Sequence, residues 1–397
     1  MDMTIDATHR RRRRGMANLL KALGADEGLT RYVGGAVRDE LLKLPVSDVD
    51  LATRLLPDEV VKRLQAAGIK AVPTGIQHGT VTAVSDGHPY EITTLRRDVE
   101  TFGRHATVAF TDDWKEDAAR RDFTINALMA DPVTGEVFDY FSGLDDLEAR
   151  HVRFIGDPFE RIAEDHLRIL RFFRFHARFG LAEPDSAALA ACSARANDLM
   201  ALSRERIADE LLKLLAVENP TPTIRVMLDH AILKPVIPEI GSAAADHLES
   251  LVESEREAEL APDPLRRLAS LLPREPPTAA NVAARLKLSN RARKRLACAA
   301  SDNLGPDPRA IAYRDGVDCA VDRLLLGGRH ADAVAIASWT PPRLPVRGGA
   351  LIRRGIVEGP LVSRTLRTIE DRWIEAGFPA GDELEAIVSQ ALAEGLR

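Results

Sequence analysis

Two aspartates separated by one residue, Asp48 and Asp50, follow a glycine pair, Gly34 and Gly35, and Arg38. In an extended strand, side chains at i and i+2 point to the same face, so the two carboxylates would lie side by side. Two carboxylates held side by side repel each other unless a cation lies between them, and hard oxygen ligands of this kind suit Mg²⁺. The glycines let backbone N–H groups approach a phosphate, and Arg38 adds positive charge beside them. These residues predict a metal-assisted site for nucleotidyl transfer.

A third carboxylate, Glu91, lies in the predicted strand YEITT. If this strand neighbours the one that carries the Asp-x-Asp, Glu91 would lie near the metal ions as a further catalytic carboxylate. On an edge strand it would be an ordinary surface residue. The sequence leaves both readings open.

A second charged cluster, Arg120, Arg121 and Asp122, precedes an apolar run that we predict to be helical. An arginine at this junction can reach a ribose or a triphosphate, and the aspartate can hold it in place or accept a hydrogen bond from a hydroxyl. Helix capping and surface charge are the alternative.

The strongest helical periodicity covers residues 157–180, with Asp157 and Pro158 at the start and Gly180 at the end. One face is apolar, and the other side holds Arg161, Glu164, Arg168, Arg171 and Arg178, with Asp165 and Arg174 at its opposite edges. Arginines gathered on one face favour an anionic partner, such as a triphosphate or an RNA backbone. The alternative is that they pair with acidic groups of another domain. Phe172 and Phe175 on this side predict that it is covered.

The elements that must position these residues form a small α/β head. Strands are predicted at RYVGG, SDVDLAT, IKAVPTG, GTVTAVSDG and PYEITTLR, with Asp86-Gly87 as a hairpin turn between the last two. Helices are predicted over residues 16–28, at AVRDELLKL and from Pro57 to Gly68. The β-rich part ends near Phe141, and the remainder is helical in pattern.

The stretch from Arg96 to Lys115 shows little apolar periodicity. We interpret it as a mobile loop over the active site, with an ordinary surface loop as the alternative.

Composition indicates a multidomain globular protein of 397 residues, with 45% hydrophobic and 29% charged residues. No apolar run is long enough to span a membrane, and no secretory signal is recognisable. Three isolated cysteines favour a reducing, cytoplasmic location and argue against a disulfide or a zinc site. The net charge of −6 does not exclude nucleic-acid binding, because the arginines are clustered. The plainest cluster, Arg10 to Arg14, is typical of a solvated tail, with an RNA contact as the alternative.

Three of these segments together resemble the bacterial class II tRNA nucleotidyltransferases, the CCA-adding enzymes, and their poly(A) polymerase relatives. GGAVRDELL…SDVD is similar to the metal-binding motif of that family, RRDFTINALMAD to its ribose-sensing motif, and GDPFERIAEDHLRILRFFRF to its neck helix. The resemblance implies a polymerase-beta-like α/β nucleotidyltransferase head followed by an all-α neck, body and tail. It also implies an enzyme that completes or repairs the 3′ CCA end of tRNA with CTP and ATP.

The resemblance also implies a role for each matching residue. Asp48 and Asp50 would bind two Mg²⁺ ions. Gly34, Gly35 and Arg38 would hold the triphosphate. Arg121 would sense the ribose, supported by Arg120 and Asp122. Asp165 and Arg168 would select the base. Arg171 and Arg174 would add contacts to nucleotide or RNA phosphates.

Other segments distinguish between the branches of this family. PTGIQHGTVTAV is similar to the CCA-adding branch, and the Gly-Arg-Arg-Phe of the poly(A) branch is not found. A poly(A) polymerase, a CC-only or A-only enzyme, and a non-catalytic RNA-binding relative remain alternatives.

The implied domains are an N-terminal arm, a head, a neck, a body and a tail, covering residues 1–28, 29–144, 145–215, 216–330 and 331–397. The tail would grip the elbow of tRNA, as the head and neck hold its acceptor arm. In the body, VAARLKLSNRARKRLACAA carries a basic stripe that is a candidate for tRNA contact or a solvated helix face.

Overall fold

The computed structural model describes residues 4–6, 13–46, 48–102, 105–180, 183–357 and 359–395. The chain forms two compact units, one of Met1–Leu214 with Arg225–Val236 and the other of Leu215–Ile224 with Ile237–Arg397. The five predicted domain boundaries stay predictions. Arg10 to Arg12 of the basic cluster lie outside the described residues.

The first unit is built on a mixed β-sheet and a separate pair of strands. The strands are β1 (Thr30–Val33), β2 (Asp50–Thr53), β3 (Lys70–Gly75), β4 (Thr80–Ser85), β5 (His88–Thr94), β6 (Arg96–Phe102), β7 (His105–Phe110), β8 (Met129–Ala130) and β9 (Val137–Phe138). The seven-stranded sheet has the order β3-β4-β5-β2-β1-β8-β9, and β6 pairs with β7. Strands β2 and β5 are parallel, whereas the other pairs of the sheet are antiparallel. All five predicted strands are confirmed.

Helices of the first unit precede, interrupt and follow the sheet. They are α1 (Met16–Ala22), α2 (Gly35–Leu41), α3 (Pro57–Ala66), α4 (Trp114–Ala119), α5 (Gly143–Glu148), α6 (Pro158–Glu164), α7 (Arg168–Phe179), α8 (Ser186–Ala194) and α9 (Arg204–Leu215). Helix α10 (Thr221–Asp229) follows. A local sequence signal explains the start of α3, because Pro57 occupies its first turn. The predicted Asp86-Gly87 turn is confirmed by positive φ angles of 48° and 80°.

The second unit is helical in its described residues. Its helices are α11 (Ala244–Glu257), α12 (Pro264–Ser270), α13 (Pro276–Arg285), α14 (Asn290–Ala299), α15 (Pro308–Asp315), α16 (Val317–Leu326), α17 (His330–Ala337), α18 (Gly348–Arg353), α19 (Pro360–Glu375) and α20 (Asp382–Gly395). Its buried charged side chains include Arg266, which donates to Glu255 and to Asp322, and Arg267, which donates to Glu255. Among the described residues, no helix has the length and apolar character to cross a membrane.

Residues 96–115 do not form the predicted loop. Strands β6 and β7 pair in antiparallel register from Arg96 opposite Phe110 to Phe102 opposite His105. The segment is rich in β-branched and aromatic residues, including Val99, Thr107 and Val108. Such residues favour a strand without any helical periodicity, which explains the error.

The predicted helix over 157–180 is two helices. Asp165 ends α6 with extended backbone angles of φ −150° and ψ 107°. Its carboxylate accepts a hydrogen bond from the backbone N–H of Leu167 at 3.1 Å. Short polar side chains compete in this way with the helical hydrogen bonds, and periodicity does not reveal it.

Two further helix predictions are wrong. After Asp122 the apolar run forms a 3₁₀ turn, Thr124–Asn126, and then strand β8. The basic segment VAARLKLSNRARKRLACAA is divided between α13 and α14, where Ser289 caps α14 by accepting a hydrogen bond from the N–H of Ala292 at 3.2 Å.

The cysteine prediction is also wrong. Cys298 and Cys319 form a disulfide that links α14 to α16, with their Cα atoms 6.0 Å apart. Cys192 is a free, buried cysteine. The helical packing brings together two residues that are 21 positions apart, and their spacing alone does not show this.

Candidate active site

The glycine pair forms the turn from β1 into α2. Gly34 has φ 67°, a conformation that favours glycine, and a Cβ atom there would lie 3.1 Å from an Arg121 nitrogen. Its backbone N–H donates to the carbonyl of Leu128 at 3.0 Å. The turn therefore brings the backbone close to an arginine side chain.

Arg38 is fixed by surrounding polar groups at the inner side of this turn. It is 4% exposed and donates to Asp39 at 2.8 and 2.6 Å and to the Oδ1 atom of Asn126. Its guanidinium carbon lies 4.2 Å from the ring centre of Phe179. Burial lowers the pKa of Arg38, whereas the negative charge of Asp39 opposes this effect. The guanidinium is thus held in one place before any anion binds.

The candidate metal-binding carboxylates lie at the start of β2 and on its neighbour. Asp50 begins β2 and pairs with Glu91 of β5 in parallel register, and Asp48 lies just before the strand. All three residues are exposed. Desolvation raises the pKa of Asp50; the Arg121 guanidinium opposes the rise and Asp48 adds to it. Desolvation also raises the pKa of Glu91, and the charge of Asp50 adds to that rise. Adjacent carboxyl groups under mutual repulsion are suitable oxygen donors for Mg²⁺, so the residues present fit this ion.

Asp117 holds the two arginines of the second cluster. Its Oδ1 atom accepts from the Nε of Arg120 at 2.8 Å, and its Oδ2 atom accepts from Arg121 at 3.3 Å. The backbone N–H of Arg96, at the base of the β6–β7 pair, also donates to Oδ1 at 3.3 Å. Although burial opposes ionisation, these two arginines lower the pKa of Asp117. One buried carboxylate therefore connects the cluster to the hairpin.

Helix α7 is joined to this cluster and to α9 by ion pairs. Arg171 donates from Nε to Asp122 at 2.7 Å, and Arg174 donates from Nε to Glu210 at 2.6 Å. Asp122 also accepts from the side-chain amide of Asn126 at 3.1 Å. Phe172 and Phe175 are buried, as predicted. The pairing of this arginine face with acidic groups is therefore confirmed, and an anionic partner for it stays a prediction.

The break between α6 and α7 presents Asp165 and Arg168. Arg206 of α9 donates to the Oδ2 atom of Asp165 at 2.7 Å. Arg168 donates to the carbonyl of Arg161 at 2.7 Å and to the carboxylate of Glu164. Both side chains are thereby held against the same cavity.

A cavity of about 470 Å³ collects most of the predicted site residues. Its lining contains Gly34, Gly35, Arg38, Asp50, Arg121, Asp122, Asp165, Arg168, Arg171 and Arg174. Asp48, Glu91 and Arg120 are not in this lining. Sequence reasoning missed the lining residue Asn126, and it located Phe175 on the charged side of the helix without assigning it to the site.

Sequence reasoning also missed the supporting residues Asp117, Arg206 and Glu210. A spacing of four residues places Arg206 and Glu210 on one side of α9, which is the signal that could have identified them.

Comparisons with known proteins show the family of this chain. A family model described as the poly A polymerase head domain matches residues 30–153, and one described as a probable RNA and SrmB-binding site of polymerase A matches residues 183–243. The chain is 34% identical over 383 residues to the mitochondrial CCA tRNA nucleotidyltransferase 1 of Mus musculus, covering 92% of this chain and 87% of that protein. It is 33% identical over 375 residues to the CCA-adding enzyme of Streptococcus gordonii, covering 90% and 91%. The chain belongs to the CCA tRNA nucleotidyltransferase family.

Solved structures of CCA-adding enzymes share this fold. The Bacillus stearothermophilus enzyme in complex with CTP has a TM-score of 0.70 at 22% identity and covers 96% of this chain and 98% of that one. The Thermotoga maritima enzyme complexed with tRNA has a TM-score of 0.68 at 21% identity and covers 99% and 100%. The predicted polymerase-beta-like head followed by helical regions is confirmed.

Proposed function

We propose that this chain adds or repairs the 3′-terminal CCA of tRNA, using CTP and ATP without a nucleic-acid template. The observation that carries the proposal is the composition of one cavity in the first unit. That cavity contains a glycine turn with Arg38, the carboxylate of Asp50, and the pair Asp165 and Arg168. A nucleoside triphosphate needs these three kinds of partner, for its phosphates, for the metal ions and for its base.

The metal ions would be held by Asp48 and Asp50, with Glu91 beside them as a catalytic carboxylate. When bound, two Mg²⁺ ions activate the 3′-hydroxyl of the primer and neutralise charge on the leaving pyrophosphate. The raised pKa values of Asp50 and Glu91 support this assignment, because both carboxyl groups gain from a nearby cation.

The triphosphate and ribose would be held by residues that are already oriented. Gly34, Gly35 and Arg38 would contact the triphosphate. Arg121 would contact the ribose, with Arg120 and Asp122 in support. Arg171 and Arg174 would add contacts to nucleotide or RNA phosphates. Fixed donors bind with little loss of side-chain entropy.

Base selection would rest on Asp165 and Arg168. An aspartate accepts a hydrogen bond from an exocyclic amine, whereas an arginine donates to ring nitrogens and carbonyls. Cytosine and adenine both offer an amine, while uracil and guanine do not offer it in the same place. Arg206 supports the assignment, since its contact fixes the Asp165 carboxylate.

The finer assignment within the family is the bacterial class II subtype. The sequence of the neck segment, with Asp165 and Arg168, supports it. We also propose a cytoplasmic location and contact of the helical tail with the elbow of tRNA through shape and phosphates.

Nucleotide incorporation on a tRNA that lacks CCA tests the function. We expect two residues to be added with CTP alone, and a third only when ATP is also present, in Mg²⁺. A variant with Asp48→Ala and Asp50→Ala should lose incorporation while it retains the circular dichroism of the parent chain. If it keeps full incorporation, the catalytic assignment is wrong.

The products also separate the alternatives. Long A tracts on any RNA would identify a poly(A) polymerase. A stop after CC with both nucleotides present would identify a CC-adding enzyme, and addition of A only to a tRNA that ends in CC would identify an A-adding one. No turnover in Mg²⁺ would identify a non-catalytic relative.

A further inference from the structure

A group of potential metal ligands lies in the second unit, apart from the nucleotide cavity. Ligand atoms of Cys298, Cys319 and Asp315 all lie within 4.8 Å of one another, and this is the one such group found among the described residues. The two sulfurs form the disulfide between α14 and α16. These three residues have no part in the proposed function.

We propose that the reduced cysteine pair, together with Asp315, binds a thiophilic divalent cation of the Zn²⁺ class. Two thiolates and one carboxylate are a donor set that Zn²⁺ accepts, with a water molecule as the fourth ligand. In a tetrahedral site with Zn–S distances of about 2.3 Å, the sulfurs lie about 3.8 Å apart. The Cα separation of 6.0 Å leaves room for this opening of the pair.

The chain turn between α15 and α16 explains how the three ligands converge. Asp315 ends α15, Gly316 follows with φ 94°, and Cys319 lies in the first turn of α16. A helix N-terminus stabilises a thiolate, so the Cys319 position favours the metal-binding form of its side chain. Asp315 also accepts from Arg323 at 2.9 Å through its Oδ2 atom, which holds the carboxyl group in place.

A cavity of about 880 Å³ gives water and ions a route to the pair. It is lined by both cysteines, Asp315 and Asp318, and by the basic residues Arg291, Lys294, Arg295 and Arg314. Three of these basic side chains are already paired with carboxylates, as Arg291 is with Asp318, Arg295 with Asp322 and Arg314 with Asp371. The cavity is therefore less repulsive to a cation than its arginine content suggests. Two thiolates and a carboxylate also outweigh the charge of one divalent ion.

The change between the two forms is chemically balanced. A phosphine reductant transfers two electrons to the disulfide, so the S–S bond breaks, water supplies the oxygen of the phosphine oxide, and two thiols form. Binding of the cation then releases the two thiol protons as two metal–sulfur bonds form. The same two helices are linked in both forms, by a disulfide in one and by a metal ion in the other.

Cobalt titration of the full chain tests the proposal. The chain is reduced with a phosphine, desalted under nitrogen and titrated with Co²⁺. We expect a thiolate-to-cobalt charge-transfer band and tetrahedral d–d bands that saturate at one ion per chain and disappear when Zn²⁺ is added. The carboxylates of the nucleotide site do not produce this band, because they contain no sulfur. Absence of the band in the reduced chain would show that the pair serves only as a structural disulfide.

Single substitutions locate the ligands. Cys298→Ser and Cys319→Ser each remove one of the two thiolates and should lower the intensity of the band per bound ion and weaken Co²⁺ binding, while Cys192→Ala, the matched control, should leave both unchanged. Asp315→Asn leaves both thiols in place and should weaken Co²⁺ binding by at least about 10-fold, the lower end of the loss seen even for partners outside the ligand shell. An unchanged band and affinity in Cys298→Ser, or unchanged affinity in Asp315→Asn, would overturn the three-ligand assignment.

Discussion

At the scale of single residues, the carboxyl groups of Asp50 and Glu91 are the candidate metal ligands whose pKa values are raised. The two carboxyl groups occupy partner positions of adjacent parallel strands, and both have raised pKa values. In both cases desolvation is the main cause, and the charge of a neighbouring carboxylate contributes. The folded chain therefore holds these protons to a higher pH than the unfolded chain. The contribution of these two groups to the stability of the fold is fully present below the unfolded pKa and is lost as the pH rises through the folded pKa.

We predict that Glu91→Gln makes the metal-free chain more stable at neutral pH than the parent chain, because the amide removes a desolvated charge and its repulsion by Asp50. The difference should close as the pH falls below the ordinary glutamate pKa of 4.5, where the carboxyl group is protonated in both the folded and the unfolded chain. Thermal unfolding in EDTA across this pH range is the measurement. Nucleotide incorporation should fall by about 10-fold or more, a barrier increase of about 1.4 kcal/mol. Glu91→Asp keeps the charge and should show no gain in stability, and a Gln variant less stable at neutral pH would contradict the prediction.

We predict that Asp165→Ala and Arg168→Ala reduce the preference for CTP and ATP over UTP and GTP without unfolding the chain. Loss of a hydrogen bond that reads a base edge costs about 1–3 kcal/mol of discrimination, or about 5- to 150-fold. Incorporation of each nucleotide under competition, with circular dichroism as the check on folding, provides the measurement. Unchanged selectivity in both variants would refute base selection by these residues.

The sequence predicted most of the side chains that line the cavity, because their types and order match a motif with known chemistry. It did not predict the residues that hold them. Glu210 contacts Arg174 across 36 positions of the chain, and Arg206 contacts Asp165 across 41. Such pairings depend on how helices pack, and a local pattern contains no information on that packing.

At the scale of elements, helix α9 fixes the charged side of α7. Glu210 is 4% exposed and accepts from Arg174, while Arg171 lies 3.8 Å from its other oxygen. Its neighbour Asp209 forms an exposed ion pair with Lys213. The two adjacent acidic residues thus differ mainly in burial, which offers an internal comparison.

We predict that Glu210→Gln lowers the free energy of unfolding of the first unit by about 2–4 kcal/mol, because partly buried arginines lose their counter-charge. Asp209→Asn is the matched control and should change it by less than about 0.5 kcal/mol. Urea unfolding of both variants, followed by circular dichroism, gives the comparison. Equal losses in the two variants would show that burial of the ion pair has no special effect.

Element boundaries show where sequence patterns stop being informative. The apolar period continued through residues 157–180, yet Asp165 interrupts the helix by bonding to the backbone of Leu167. Inside the basic segment, helix α13 ends at Arg285, and Ser289 then caps the new helix α14. At Asp165 one polar side chain overrides the period, and the site gains a turn that a continuous helix could not provide.

At the scale of the whole molecule, the proposed functions are distributed over two compact units. Every residue that lines the nucleotide cavity belongs to the first unit, and the proposed tRNA elbow contact belongs to the second. The net charge of −6 does not prevent binding of anions, because the arginines of the cavity are concentrated in one place. CTP, a small ligand, and tRNA, a large one, should therefore affect different parts of the chain.

We predict that CTP with Mg²⁺ slows amide hydrogen exchange in the first unit and leaves exchange in the second unit unchanged. At about 100 times the dissociation constant, binding stabilises the bound state by about 2.7 kcal/mol, so exchange through opening of that unit slows up to about 100-fold. A tRNA that lacks CCA should protect α19 and its neighbours in addition. Mass spectrometry of peptides from residues 30–41, 164–175 and 360–375 distinguishes the two patterns. Protection of 360–375 by CTP alone would contradict the division, because a nucleotide confined to its cavity makes no contact with that helix.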